Sequence, residues 1–121
     1  MKKLVSVLLL LCVAATAYAE KYVIGVESLK YYPHYDNDGK QEYFGYAREV
    51  FDAFGEKYGH TFEYRVLPVT ELWEEFLGDK LDLKYPDHPI WQRDRKAATG
   101  LDIQYSQSVT QHVDGMLRTP E

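Results

Sequence analysis

The pattern of apolar and polar residues along the chain predicts the order strand, helix, strand, helix, strand. The run Tyr22–Val26 is almost wholly apolar and rich in β-branched residues, which predicts a strand buried on both faces. Gly45–Tyr58 has apolar residues at helical spacing, and Gly59 follows as a left-handed cap. Phe62–Val66 alternates apolar and polar residues, which predicts a second strand. The predicted apolar stripe of the first helix contains Tyr46, Ala47, Val50, Phe51, Phe54 and Tyr58.

Two further elements are predicted after Pro68. Thr70 is the predicted N-cap of a short helix that ends at Leu77, and Leu72, Trp73, Phe76 and Leu77 form its buried stripe. Leu81–Tyr85 is the predicted third strand, with its first, third and fifth residues on one face. This order predicts a parallel sheet with right-handed crossovers and helices on both faces, a three-layer α/β unit.

The connections contain one long loop, Glu27–Glu42, which carries the aromatic cluster Tyr31–Tyr35 and a turn at Asp36–Gly39. Packing of at least one tyrosine ring is one interpretation of the cluster, and contact with a ligand is the other. Beyond Trp91 the pattern is weaker. It predicts a helical turn within Gln92–Gly100, a brief strand at Ile103–Tyr105 and another strand at His112–Leu117.

The segment Leu81–Trp91 is the first candidate for a binding site. Pro86 and Pro89 lack backbone donors, so the strand stops and leaves Asp87 and Trp91 beyond its carboxyl end. Ligands of α/β domains bind at that end of the strands.

Two arginines, Arg93 and Arg95, follow this segment closely. One interpretation is a solvated charge run. The functional interpretation is that one guanidinium binds a carboxylate ligand through two parallel hydrogen bonds. Tyr85 and Trp91 would then form apolar walls of the binding site.

The first 19 residues have the pattern of a cleavable secretory signal. A basic start, Lys2–Lys3, precedes an apolar run, and Ala17–Ala19 is a small-x-small cleavage site. The apolar run is shorter than the ~20 residues that a bilayer span needs, which disfavours a membrane anchor. Cys12 follows the bulky Leu11, which argues against a lipoprotein signal. We therefore expect a periplasmic protein with cleavage after Ala19.

Composition narrows the classes of function for residues 20–121. They contain no cysteine, so thiol catalysis and disulfides are excluded, as suits a periplasmic domain. Two of the 14 basic residues and none of the 19 acidic residues lie in the signal, so the remainder has a formal charge of −7. Such an acidic domain is a poor partner for nucleic acid. The scattered histidines and the Asp36–Gly39 turn predict no metal site, and we expect no cofactor.

Taken together, these segments resemble the family 3 extracellular solute-binding proteins, the amino-acid type of periplasmic receptor. An export signal precedes an apolar strand, an aromatic-proline segment and a helix with a glycine start, and the resemblance spans about 80 residues. The segments that carry it are Tyr22–Val26, Tyr31–Tyr35, Gly39, Gly45–Val50, Gly59–Tyr64, Leu77–Asp82 and Ile103–Ser106.

The resemblance implies a type II periplasmic binding fold of two lobes, of which this chain covers the first. It implies a monomeric receptor that delivers a small solute, an amino acid or a related amine or acid, to an ABC permease in the inner membrane. A single lobe is expected to bind its ligand weakly or not at all. The resemblance, together with the segment after the third strand, assigns ligand binding to these residues: Tyr32, Tyr85, Asp87, Trp91, Arg93 and Arg95.

One segment departs from the family pattern. Pro86–Trp91 stands where the family has small hydroxyl residues followed by an arginine, so this chain resembles a divergent subgroup. Asp87 would suit a cationic or amine-bearing ligand by charge complementarity.

Two other functions compete with transport. One is a sensory module of the same fold; the other is a derived enzyme with acid-base candidates among Glu49, Asp87 and His88. Neighbouring permease and ATPase genes would favour transport, and a neighbouring kinase gene would favour sensing.

Overall fold

The structure, a computed structural model, describes residues 19–111 and Gly115. The predicted export signal, apart from Ala19, lies outside the described residues, as does the predicted strand His112–Leu117 apart from Gly115. The chain divides after Asp87 into two compact units. No helix among the described residues is long and apolar enough to cross a bilayer.

The first unit confirms the predicted α/β class with a parallel sheet. Strand β1 lies in the middle of a three-stranded sheet, with β4 and β5 parallel to it on either side. A small antiparallel hairpin, β2–β3, lies outside this sheet. The elements are β1 Glu20–Glu27, β2 Asp36–Asn37, β3 Tyr43–Phe44, α1 Tyr46–Tyr58, β4 His60–Leu67, α2 Val69–Leu77 and β5 Leu83–Tyr85.

The helices pack on opposite faces of the sheet, because β1 contributes alternate residues to two separate cores. Ile24 and Val26 are fully buried with Ala47 of α1. Val23 packs with Leu72 of α2 on the other face. A Cβ at Gly25 would lie 2.4 Å from Leu81 Cδ1 and 2.5 Å from Leu72 Cδ1, so a larger residue there would displace these two side chains. The predicted three-layer arrangement therefore matches the packing of this unit.

Helix α1 packs on the sheet through only part of the predicted stripe. Ala47 and Gly55 are buried and Phe51 packs against the core, whereas Phe54 and Tyr58 are 50% and 56% exposed. The physical reason is a close approach: a Cβ at position 55 would lie 2.7 Å from the His60 carbonyl oxygen. The helix face nearest the sheet is therefore centred on small residues, and the larger rings lie at its margins. The helix begins at Tyr46, one residue later than predicted.

Helix α2 begins at Val69, so the predicted N-cap at Thr70 is wrong. Pro68 precedes the helix without a side-chain cap, and its carbonyl oxygen accepts a hydrogen bond from Leu72 N at 2.8 Å. The acidic face of this helix is not wholly solvated, because Glu75 pairs with Arg65 of β4 at 2.7 Å.

The third strand is shorter than predicted and does not include Leu81. Leu81 is buried in the core on the α2 side, whereas Tyr85 packs in the core on the α1 side. Regular pairing with β1 starts only at Leu83, after a turn in which Asp79 has φ 57°. The alternation of a strand therefore cannot be extended back to Leu81.

The second unit contains helix α3, Arg93–Thr99, which confirms the helical turn predicted after Trp91. Gly100 ends it with φ 71°. Lys96 is buried in this unit, and its Nζ donates to the His88 carbonyl oxygen at 3.0 Å. The predicted strand Ile103–Tyr105 is irregular instead, because residues 88–111 and 115 contain no strand with which it could pair.

Candidate functional site

The carboxyl ends of the three parallel strands form one edge of the sheet. We call this the carboxyl edge and define it by Glu27–Ser28, Leu67–Pro68 and Tyr85–Asp87. The register places Glu27 beside Leu67 and Val26 beside Tyr85, so the strand ends are level. In open parallel sheets this is the edge at which ligands bind.

The aromatic loop, Tyr31–Tyr35, is held by backbone hydrogen bonds. Tyr31 and Tyr35 exchange two of them, at 2.8 and 3.1 Å. The carbonyl oxygen of Pro33 accepts from Tyr46 N at 3.0 Å, and that of His34 accepts from Ala47 N at 2.9 Å. These two bonds satisfy N–H groups in the first turn of α1 that have no partner within the helix. The loop and the start of α1 therefore form one connected piece.

Two tyrosine hydroxyls fasten this loop to the strands. Tyr35 is buried, and its hydroxyl donates to Glu27 Oε2 at 2.8 Å. Burial, and then this hydrogen bond, raise the pKa of Tyr35 above its usual range. Tyr85 Oη lies 2.6 Å from His34 Nε2, and burial raises the pKa of Tyr85 to about 12. Both hydroxyls are therefore neutral at neutral pH. Structural packing of at least one loop tyrosine is confirmed.

The remaining rings of this region face outward. Tyr31, Tyr32 and Tyr46 are 56%, 73% and 45% exposed. The His34 ring centre lies 5.9 Å from that of Tyr31 and 6.0 Å from that of Tyr46. We call Tyr31, Tyr32, His34 and Tyr46 the aromatic platform. Its ring faces can stack on a planar or cationic group, and its tyrosine hydroxyls can donate and accept hydrogen bonds.

A buried charge pair lies just after β5. The side chain of Lys84 is 1% exposed, and its Nζ is 3.8 Å from the ring centre of Trp73 in α2. The same ammonium donates to the Pro86 carbonyl oxygen at 2.5 Å and lies 3.9 Å from Asp87 Oδ1. The Asp87 side chain is 9% exposed, so this carboxylate lies beside an internal cation.

The other predicted site residues lie in the second unit. Trp91 is 38% exposed, with its ring centre 6.1 Å from that of His88. Arg93 and Arg95 are exposed on α3. With three neighbours they line an open depression of about 540 Å³; the lining residues are Ile90, Gln92, Arg93, Asp94 and Arg95. The structure thus places Tyr32 in the aromatic loop and the Tyr85 hydroxyl against His34 of the same loop, and brings the arginines together on one surface.

Three candidate site residues near the carboxyl edge were not predicted from the sequence: His34, Tyr46 and Lys84. Tyr46 carried a usable signal, because the first residue of a helix that follows a βα loop lies at the carboxyl edge. Lys84 carried none, since an alternating strand pattern assigns a lysine to an exposed face.

Metal and acid-base chemistry have few supporting groups in the described residues. Within residues 19–111 and 115, no cluster of three or more His, Cys, Asp and Glu side chains could hold a metal ion. Glu49, one acid-base candidate, is exposed in the first turn of α1. The arrangement at the carboxyl edge therefore offers stacking and hydrogen bonding.

Comparison with known proteins gives no match to this chain among family models or curated sequences.

Proposed function

We propose that this protein is an exported, periplasmic receptor for a small polar solute, an amino acid or a related amine or acid. In this proposal the first unit is part of the first lobe of a type II periplasmic binding fold. The receptor would pass its solute to an ABC permease in the inner membrane.

The observation that carries the proposal is the aromatic platform at the carboxyl edge. Tyr31 and Tyr32 expose large ring surfaces on a loop that is itself firmly held, and Tyr46 exposes its ring at the start of α1. Aromatic side chains bury large areas when they pack, so a protein that leaves three exposed at a ligand-binding edge gains little stability from them there. A solute that stacks on the platform would cover these surfaces. Closure of a second lobe would then exclude water from the other side.

The test is a thermal-shift screen of residues 20–121 against amino acids, polyamines and small organic acids, each at 10 mM. A solute present at ten times its Kd stabilises the folded state by about 1.4 kcal/mol. In a domain of this size that raises Tm by several degrees. Solutes that pass this screen are then titrated into ¹⁵N-labelled protein, and we expect the amide shifts to concentrate at Tyr31, Tyr32, His34 and Tyr46.

Two tyrosine variants form a matched pair. Tyr32→Ala removes an exposed ring from the platform, and Tyr58→Ala removes a comparably exposed ring from the opposite end of α1. We expect Tyr32→Ala to weaken binding about twofold to tenfold, which corresponds to the roughly 0.5–1.5 kcal/mol of an aromatic contact. Tyr58→Ala should leave the affinity unchanged. The proposal fails if a solute that raises Tm shifts amides away from the platform, or if Tyr32→Ala and Tyr58→Ala weaken its binding equally.

A further inference from the structure

The buried ammonium of Lys84 is the least expected group at the carboxyl edge. An apolar side chain would fill the space between β5 and Trp73 without the desolvation penalty that a buried cation carries. Here the side chain of Lys84 is 1% exposed, yet the partners of its ammonium include an aromatic ring, a carbonyl oxygen and a carboxylate. They are the Trp73 ring at 3.8 Å, the Pro86 carbonyl oxygen at 2.5 Å and the Asp87 carboxylate at 3.9 Å.

Each partner restricts the ammonium in a different way. The indole face of Trp73 attracts a cation through its quadrupole, and more strongly when water is excluded. Pro86 and Asp87 belong to the segment that leaves β5, so these two contacts tie that segment to the sheet. Both charges are largely removed from water, so salt screens their attraction much less than it would screen a surface pair.

We propose that Lys84 is a specificity-determining residue of the carboxyl edge, whose buried ammonium cancels the charge of Asp87. The pair then adds no net charge at the end of β5. Asp87 taken alone predicts a site for a cationic group, and Lys84 removes that preference. The assignment of a solute to this edge rests on the proposed function, whereas the charge cancellation does not.

The experiment measures the local electrostatic potential directly, without any solute. A cationic and an anionic nitroxide cosolute of the same size are added in turn to ¹⁵N-labelled residues 20–121. The relaxation enhancement of each backbone amide then reports how often each cosolute comes near it. The readout is the ratio of the relaxation enhancement by the cationic cosolute to that by the anionic cosolute at the Asp87 amide. The Gly59 amide, at the carboxyl end of α1, is the reference.

Four variants separate charge cancellation from a merely structural role. In Lys84→Met, Asp87 loses the charge of the Lys84 ammonium, and a unit charge at about 8 Å in water changes the local concentration of each cosolute about twofold. The ratio should therefore rise about fourfold. Asp87→Asn should lower the ratio by a similar factor, and the double variant should return it to the wild-type value. Lys80→Met makes the same change in net charge at an exposed lysine and should leave the ratio at Asp87 nearly unchanged.

The proposal is overturned if the ratio at Asp87 in folded Lys84→Met equals that in wild type or in Lys80→Met. If Lys84→Met does not fold, Asp87→Asn decides, and an unchanged ratio in that variant refutes the cancellation. Loss of stability alone would not produce opposite changes in the two single variants. Amide shifts that lie away from the platform would overturn the proposed function and leave this result intact.

Discussion

Two stacked tyrosines in the core should respond with opposite signs to the same chemical change. The rings of Tyr35 and Tyr43 lie 6.2 Å apart, and both side chains are buried. The Tyr35 hydroxyl donates to Glu27, whereas the Tyr43 hydroxyl has no hydrogen-bond partner within the described residues. Replacement of each by phenylalanine removes one hydroxyl and keeps the ring. We expect Tyr43→Phe to stabilise the protein and Tyr35→Phe to destabilise it.

The magnitudes follow from the partners of each hydroxyl. A buried polar group without a partner costs about 1–3 kcal/mol, so its removal at position 43 should raise the free energy of unfolding by about 1 kcal/mol. A hydrogen bond to a charged acceptor contributes about 1.5–3 kcal/mol. Glu27 is only half-buried, so we expect a loss of about 1–2 kcal/mol for Tyr35→Phe. The two variants should therefore differ by about 2–3 kcal/mol.

The assay is urea unfolding of residues 20–121 at pH 7, followed by far-ultraviolet circular dichroism. Equal m-values in the wild type and both variants would show that the denatured states are comparable. The reasoning is refuted if Tyr43→Phe lowers the midpoint, or if the two variants shift it in the same direction by similar amounts.

Two further predictions concern alkaline pH and the packing of α1. Burial is the main cause of a raised pKa in four tyrosines, Tyr35, Tyr43, Tyr64 and Tyr85. Their stabilising contribution is complete below pH 10 and should fall above it, by up to about 1.4 kcal/mol per pH unit for each hydroxyl that ionises only on unfolding; urea titrations that stay level from pH 9 to 11.5 would contradict this. Gly55→Ala should cost about 1–2 kcal/mol despite the better helix propensity of alanine, because the new Cβ meets the His60 carbonyl oxygen at 2.7 Å. Glu56→Ala, at an exposed position of the same helix, should change the free energy of unfolding by less than about 0.5 kcal/mol in the same assay, and equal effects would refute the contact.

The layout of the first unit could be predicted because its strongest signals are local. A short, almost wholly apolar run rich in β-branched residues, such as Tyr22–Val26, favours a strand covered on both faces, and β1 is the central strand. Pro86 ends β5 by removing a backbone donor, so the position of the carboxyl edge also follows from the sequence.

The packing of side chains could not be predicted, because it depends on how closely the elements approach one another. Phe54 looks like a core residue by its spacing, but the approach of His60 to Gly55 moves it to the margin of α1. Lys84 looks like an exposed residue by alternation, but α2 covers that face with Trp73. Prediction of the candidate site was limited for the same reason, because the contact of His34 with Tyr85 joins residues that lie far apart in the chain.

The way in which the aromatic loop is held has a consequence for how this protein can vary. Pro33 and His34 are bound to α1 through their carbonyl oxygens, which any residue would supply equally. Gly45 is different, because it has φ 111° and a Cβ there would lie 3.0 Å from Pro33 O. A library that randomises Tyr31 and Tyr32 while Gly45 is retained should therefore keep its fold. The loop resembles the display surface of an engineered binder: its backbone is fixed from below, and the rings above can be exchanged to change the molecule that is recognised.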